Sequence, residues 1–177
     1  MAAEYSANAI QTVAANTAVI FTEAPVPCNR GLIYHREGSG IFRLASPSAI
    51  SCGCIARSCC CGMPKADYLV GFHCNIQIPT GGTVEAISLA LAIDGETDPS
   101  SIMTVTPAAA EELWNVGAEI IVSVPWICRC ASVSVRNVSD QAIEVSNANI
   151  VFDYLGIRRY QKGGRKHEPS RRPLWYL

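Results

Sequence analysis

Charged residues are scarce in this chain of 177 residues, and a long apolar run is missing. Lysine, arginine, aspartate and glutamate make up 16% of the sequence, whereas hydrophobic residues make up 49%. No stretch reaches the roughly 18 apolar residues of a membrane-spanning helix, so we expect no membrane span. The first ten residues lack the basic start and apolar core of a signal peptide. Such a composition is typical of a protein that buries surface against neighbouring molecules.

Residues that usually carry catalysis are also few. The chain has three histidines, and none of its serines or cysteines lies in a recognised nucleophile motif. His35, beside Arg36 and Glu37, could act as an acid–base group, but a polar residue on a strand or loop is the simpler interpretation. Residues 94–98 lack the spacing of a calcium-binding loop and indicate a turn. We therefore expect no enzymatic activity, no cofactor and no dedicated metal site.

Alternation of polar and apolar residues is the strongest pattern that is present. It runs through residues 75–78, 84–93, 115–124 and 130–138, and a period of two indicates half-buried strands. Pro79, Gly81 and Gly82 interrupt the pattern, because proline removes a backbone donor and glycine permits positive φ. Residues 68–95 are therefore predicted to be two strands joined by a tight turn. Asp94-Gly95 predicts a second turn of the hairpin type.

Short strand-like segments separated by turn signals fill the rest of the chain. Residues 108–113 form the one helix-like stretch, which is too short to be stable alone. The sequence therefore predicts an all-β jelly-roll β-sandwich of about eight to ten antiparallel strands. The predicted domain spans residues 10–157 and contains a cysteine-rich loop at 51–64. Residues 1–9 are expected to form a loose N-terminal arm, and residues 158–177 form a basic tail.

Several segments in order resemble one known family. They are NRGLIYHREGSGIFRL, NIQIPTGGTVEAISLALAIDGE, SIMTVTPAAAEE, SVSVRN and VSNANIVFDY. Together they resemble the tumour-necrosis-factor-like, complement-type jelly-roll domain of bacterial and phage structural proteins, as in the head domains of collagen-like exosporium glycoproteins. The resemblance implies ten strands in two sheets and a homotrimer. Candidate contact residues of that trimer are Phe72, Trp114 and Trp126; the alternative for each is a place in the core of its own chain. The chain has no Gly-X-Y stalk, which disfavours a collagen-like surface fibre.

Nine cysteines are an unusual feature of the sequence, and five of them lie close together. They are Cys28, Cys52, Cys54, Cys59, Cys60, Cys61, Cys74, Cys128 and Cys130. The cluster at 52–61 could supply thiolate ligands to zinc or an iron–sulfur cluster, but the paired spacing of common zinc folds is missing. Free thiols are the favoured interpretation, since a reducing cytoplasm disfavours disulfides. Disulfides formed after release from the cell, or a metal bound by this cluster, are the alternatives.

The C-terminal tail differs from the body in charge. Residues 158–177 contain seven basic residues and one acidic residue, for a charge of +6, whereas residues 1–157 carry −7. Docking on an acidic or apolar protein surface, a solvated tail and nucleic-acid binding are three possible roles. Docking is favoured because the tail ends in an apolar group. The expected docking residues are Arg171, Arg172, Trp175, Tyr176 and Leu177.

Together these features predict a non-enzymatic structural protein of a tailed phage virion. The expected role is a trimeric capsid decoration or head fibre, assembled in the host cytoplasm and anchored by the C-terminal tail. Its partners would be further copies of itself and a major capsid or other virion protein; a host-surface glycan is also considered, whereas nucleic acid and membrane are not expected. The alternatives are a receptor- or glycan-binding fibre tip and a bacterial surface or spore-coat head domain.

Overall fold

The computed structural model describes residues 2–28, 31–47, 65–125 and 130–158. These residues form twelve strands and no α-helix, with a 3₁₀ turn at Pro99–Ser101. None of the described residues belongs to a helix that is long and apolar enough to cross a membrane. The strands are β1 (Ala2–Ala7), β2 (Gln11–Val13), β3 (Glu23–Val26), β4 (Ile33–His35), β5 (Phe42–Ala45), β6 (Lys65–Gln77), β7 (Ile87–Ile93), β8 (Glu96–Thr97), β9 (Met103–Val105), β10 (Trp114–Pro125), β11 (Cys130–Asn137) and β12 (Ile143–Arg158).

Two antiparallel sheets pack face to face. The first sheet has the order β10-β6-β12-β1-β3, and β2 pairs with the start of β12. The second sheet has the order β4-β5-β11-β7-β8, and β9 pairs with β7. From β5 onward the chain changes sheet between β5 and β6, β6 and β7, β9 and β10, β10 and β11, and β11 and β12. This alternation between two sheets is the jelly-roll β-sandwich, and the predicted fold is confirmed.

An aromatic cluster fills the space between the sheets. Phe42, on β5, is fully buried, and its ring lies 4.9 Å from those of Tyr5 and Phe152 and 5.2 Å from that of Phe21. Aliphatic side chains from the inward positions of β6, β7, β10, β11 and β12 surround the cluster. Because every second residue of a strand faces inward, the alternating pattern of the sequence becomes one continuous core.

The predicted hairpin of residues 68–95 is wrong. Strand β6 pairs with β10 and β12 in the first sheet, whereas β7 pairs with β8, β9 and β11 in the second. The predicted turn is real, because the Gly82 N–H donates to the carbonyl of Pro79 at 2.9 Å and Gly81 has a φ of 79°. It belongs to a connection that crosses between the sheets. Alternation identifies a half-buried strand, but it does not identify the strand's partner.

A further expectation is wrong for a local reason. The expected N-terminal arm, residues 1–9, contains β1, which lies between β12 and β3. Its small side chains alternate too weakly in hydropathy to signal a strand, although Tyr5 is buried in the core. The helix-like residues 108–113, which are predicted to be too short to be stable alone, form bends and turns, and Glu111 has a left-handed φ of 62°. A glutamate at that φ ends any helical run.

The turn predicted at Asp94-Gly95 is confirmed. It joins β7 to β8, and Ile93 lies opposite Glu96. Both turn residues have positive φ, 51° and 89°, as a two-residue hairpin turn requires. The Asp94 carboxylate also accepts the backbone N–H of Ser132 at 2.7 Å, so the turn is tied to β11. The aspartate therefore supports a turn, as its position in the sequence indicated.

Candidate interaction surface

The outer face of the first sheet carries an apolar patch in one half of its length. Ile121 on β10 lies opposite Leu69 on β6, and Val151 on β12 lies opposite Gly71, two residues further along β6. Leu155 occupies a bulge of β12 beside the same row. Ile121 and Leu155 are more than half exposed. We call Leu69, Ile121, Val151 and Leu155 the apolar patch.

Carboxylates lie next to this apolar patch. Glu119 lies opposite Gly71, and a Cβ at Gly71 would sit 3.5 Å from the Glu119 side chain, so the acidic side chain covers the glycine. Glu4 on β1 lies opposite Val151, and its Oε1 accepts from Asn149 Nδ2 at 2.6 Å. Asp153 lies opposite Leu69. The outer face therefore combines apolar surface with negative charge, which favours a basic partner with apolar side chains.

A hydrogen-bonded cluster joins the last described residue to this face. Arg158 Nε donates to Asp67 Oδ2 at 2.7 Å, and Ser123 Oγ donates to Asp67 Oδ1 at 2.6 Å. Arg158 Nη2 also donates to Ser123 Oγ at 2.9 Å. The three residues lie on β12, β6 and β10, so the cluster fixes the end of β12 across three strands. We call Asp67, Ser123 and Arg158 the terminal clamp.

Opposing influences set the pKa of the clamp carboxylate. Burial alone raises the pKa of Asp67, but hydrogen bonds from Arg158 and Ser123 and the charges of Arg158 and Lys65 outweigh burial. The pKa of Asp67 therefore lies below its ordinary value of 3.8. A carboxylate with a lowered pKa stabilises the fold above its unfolded-state pKa, and this contribution is lost as the pH falls through the folded-state pKa.

This clamp gives a prediction about acid sensitivity. We expect Asp67→Asn to lower the melting temperature at neutral pH, because the amide cannot form the ion pair with Arg158. The difference from the unmodified protein should shrink once the pH falls below about 4, where the unfolded-state carboxyl is protonated. Thermal melts between pH 2.5 and 7 measure both effects. Asp140→Asn, at an exposed turn position, is the matched control, and a Tm difference that is the same at every pH would contradict this role of the clamp.

Three chain segments join the sheet at the clamp end. Lys65, the first residue of β6, lies opposite both Pro125 and Arg158. The cysteine-rich segment ends at Lys65, and residues 126–129 follow Pro125. The predicted tail begins at residue 158, but Arg158 pairs with Lys65 as the last residue of β12, so the tail beyond the sheet is residues 159–177. The remaining sequence-predicted residues lie on these segments, outside the described residues: Cys52, Cys54, Cys59, Cys60, Cys61, Trp126, Arg171, Arg172, Trp175, Tyr176 and Leu177. The register thus brings the attachment points of three segments together.

The described cysteines differ in their surroundings. Cys74 is buried in the core, and this burial raises the pKa of its thiol to about 12, so it stays protonated and unreactive. Cys28 is half-buried and Cys130 is exposed, and both are free thiols. Among residues 2–28, 31–47, 65–125 and 130–158, no three histidine, cysteine or acidic side chains are grouped as metal ligands. The proposed ligands of the 52–61 cluster lie outside this range.

The candidate contact residues for a trimer occupy different environments. Phe72 is 2% exposed and packs edge-to-face against Phe21 inside the sandwich, so the structure places it in the core of its own chain instead of on a surface. Trp114 begins β10 and is 40% exposed, next to the exposed Leu113. His35 stacks on Phe42, and its Nε2 is 2.9 Å from the carbonyl oxygen of Ser39, which gives it a structural role.

Comparison with known proteins adds little to this geometry. No protein-family model matches the chain, and no characterised protein matches its sequence. Among solved structures, pika GITRL shares 13% identity at a TM-score of 0.44, covering 88% of this chain and 96% of the other. A family 35 carbohydrate-binding module from Clostridium thermocellum shares 12% sequence identity at a TM-score of 0.36, and the match covers 85% of this chain and 97% of the module. The sugar-binding EclA C-terminal domain shares 13% sequence identity at a TM-score of 0.32, and the match covers 59% of this chain and 86% of that domain.

Because all three TM-scores are below 0.5, these similarities do not indicate a function for this chain. The jelly-roll fold follows from the order of strands in the two sheets. Membership of the tumour-necrosis-factor-like family stays a prediction from the sequence. The functional interpretation therefore depends on the surfaces of this molecule.

Proposed function

We propose that this protein is a non-enzymatic structural component of a tailed phage virion. In this role, a trimer of jelly-roll domains decorates the capsid or forms a head fibre, and the C-terminal tail anchors it to the particle. The observation that supports the proposal best is the terminal clamp. Its three hydrogen bonds hold Arg158 on β12 to β6 and β10, at the point where the basic, aromatic tail begins. A tail attached in this way can transmit load between the body and a partner.

An open sheet edge supports self-association. Strand β10 has twelve residues and pairs with β6 along one side; among the described residues no strand pairs with its other side. Long edge strands are usually protected by lysine, proline or a covering loop. β10 has no lysine, and its proline is the last residue, Pro125. Leu113 and Trp114 add exposed apolar surface at the other end of this edge. Association around this edge would cover both the unpaired side of β10 and the exposed side chains of Leu113 and Trp114.

The mass of the protein in solution tests self-association. We expect a particle of roughly 57 kDa, three times the chain mass of 19.0 kDa, at micromolar concentration. Trp114→Ala should shift the equilibrium towards the monomer, because it removes an exposed aromatic anchor from the proposed interface. Light scattering coupled to size exclusion measures both. Tyr34→Ala, which removes a more exposed aromatic residue from the second sheet, is the control. A monomer mass for the unmodified protein would contradict the trimer.

One observation favours a second candidate, a glycan-binding fibre tip. Tyr34 is 63% exposed and lies opposite Arg43, which in turn lies opposite Ser132. An exposed ring with neighbouring polar donors is a suitable platform for a sugar ring. A glycan array with the unmodified protein and Tyr34→Ala tests this alternative, and specific binding that depends on Tyr34 would favour it over a purely structural role.

A further inference from the structure

The apolar patch leaves hydrophobic side chains exposed on the described core fold, with Ile121 58% and Leu155 52% exposed. The patch lies on the same face as the terminal clamp, and Leu69 is two residues along β6 from Asp67. We propose that the C-terminal segment of the same chain, residues 159–177, folds back and docks on this patch. This inference goes beyond the proposed function, because it assigns the tail a site on the free protein, before any particle is bound.

Charge complementarity favours this occupant. The described residues contain fourteen aspartates and glutamates but five lysines and arginines, one of which is Arg158. The described part of the chain is therefore acidic. Residues 159–177 contain six lysines and arginines and one glutamate. Glu4, Glu119 and Asp153 place carboxylates directly beside the patch. Opposite charges on a tethered segment and its docking surface attract each other over about 10 Å at 0.1 M salt.

The apolar end of the segment matches the apolar patch. The last residues are Leu174, Trp175, Tyr176 and Leu177, and tryptophan, tyrosine and arginine are the side chains that contribute most binding energy at protein interfaces. The patch offers Leu69, Ile121, Val151 and Leu155, beside the Glu119 side chain that covers Gly71. The basic residues of the segment therefore match the carboxylates of this face, and its aromatic end matches the apolar patch.

The length of the segment allows docking on its own chain. Arg158 lies opposite Lys65, four residues from Leu69 on β6, so Leu69 is about 13 Å away along the strand. Gly163-Gly164 permits a reversal of direction, since glycine adopts the positive φ of tight turns. From Gly164 to Trp175 the chain spans at most about 40 Å. The aromatic end can therefore return over the patch without leaving its own subunit.

Backbone amide NMR shifts of the full-length protein test this docking. The unmodified chain is compared with the triple variant Trp175→Ala, Tyr176→Ala, Leu177→Ala, without particles and with reductant present. We expect shift differences at Leu69, Gly71, Ile121 and Val151 and none at Ala90 and Ser134, which lie on the second sheet. Raising the salt concentration from 0.05 to 0.5 M should shift the same patch amides of the unmodified protein in the same direction, because salt screens the attraction between the basic tail and the carboxylates. Unchanged second-sheet shifts also establish that the variant is folded.

A substitution on the body provides an independent test. Ile121→Glu keeps the tail intact but places a charge in the patch, and the shifts of the tail tryptophan indole should move to those of a free peptide. Unperturbed patch shifts in the triple variant would overturn the inference. Shift differences that grow with protein concentration would also overturn it, because they would mean that the tail docks on a second copy. Since no particle is present, either failure leaves the virion proposal to its own tests.

Discussion

Replacing Phe42 by alanine is expected to destabilise the sandwich by about 3–5 kcal/mol. The Phe42 side chain is fully buried, and its ring contacts those of Tyr5, Phe21 and Phe152 across both sheets, as well as the imidazole of His35. Deleting it leaves a cavity at the point where strands distant in sequence meet. Typical domains are stable by about 5–15 kcal/mol, so the variant should be close to the limit of folding.

Urea denaturation measures this loss as a lower midpoint with an unchanged slope. Tyr34→Ala is the matched control, because Tyr34 is an aromatic residue on the neighbouring strand but is 63% exposed. The control should change stability by less than about 0.5 kcal/mol. A loss below about 1 kcal/mol for Phe42→Ala would show that the aromatic cluster does not join the two sheets.

Removing the proposed docking residues of the tail is expected to abolish the proposed attachment to particles. In the full-length protein, alanine at Arg171, Arg172, Trp175 and Tyr176 should lower apparent affinity by roughly 10²-fold or more, because three tethered tails multiply any loss at a single site. Co-sedimentation with purified particles measures the bound fraction.

Alanine at Arg159 and Lys162 is the control for charge alone, since it removes two basic residues and keeps the aromatic end. It should weaken binding modestly and mainly at low salt. Equal occupancy by the four-residue variant and the unmodified protein would contradict anchoring by the tail. If the tail also docks on its own apolar patch, the particle must offer a stronger site than that patch.

The sequence predicted the strands better than it predicted their partners. Alternation located β7, β10, β11 and the end of β6, because inward residues such as Ile76 and Ile120 recur with period two. Pairing could not be predicted, since every strand offers the same backbone donors and acceptors, and the choice depends on packing across the whole core. The N-terminal strand was missed because Ala2, Ala3 and Ala7 carry too little hydrophobic contrast to reveal a buried face.

The interaction surface was missed for a related reason, although a signal was present. Leu69, Ile121 and Val151 are apolar residues at outward positions, each beside an inward apolar residue on the same strand. Such out-of-phase residues indicate exposed apolar surface. That they form one patch follows only from the register, which places Ile121 opposite Leu69 and Val151 opposite Gly71. The terminal clamp likewise requires three strands to be aligned.

Cryo-electron microscopy of native particles would show directly whether the protein is a trimeric virion component. We expect density for three copies of this two-sheet domain around a three-fold axis, with the clamp end facing the particle and the tail in contact with a virion protein. Particles on which this chain occurs singly, or with the clamp end directed away from the shell, would contradict the proposed role.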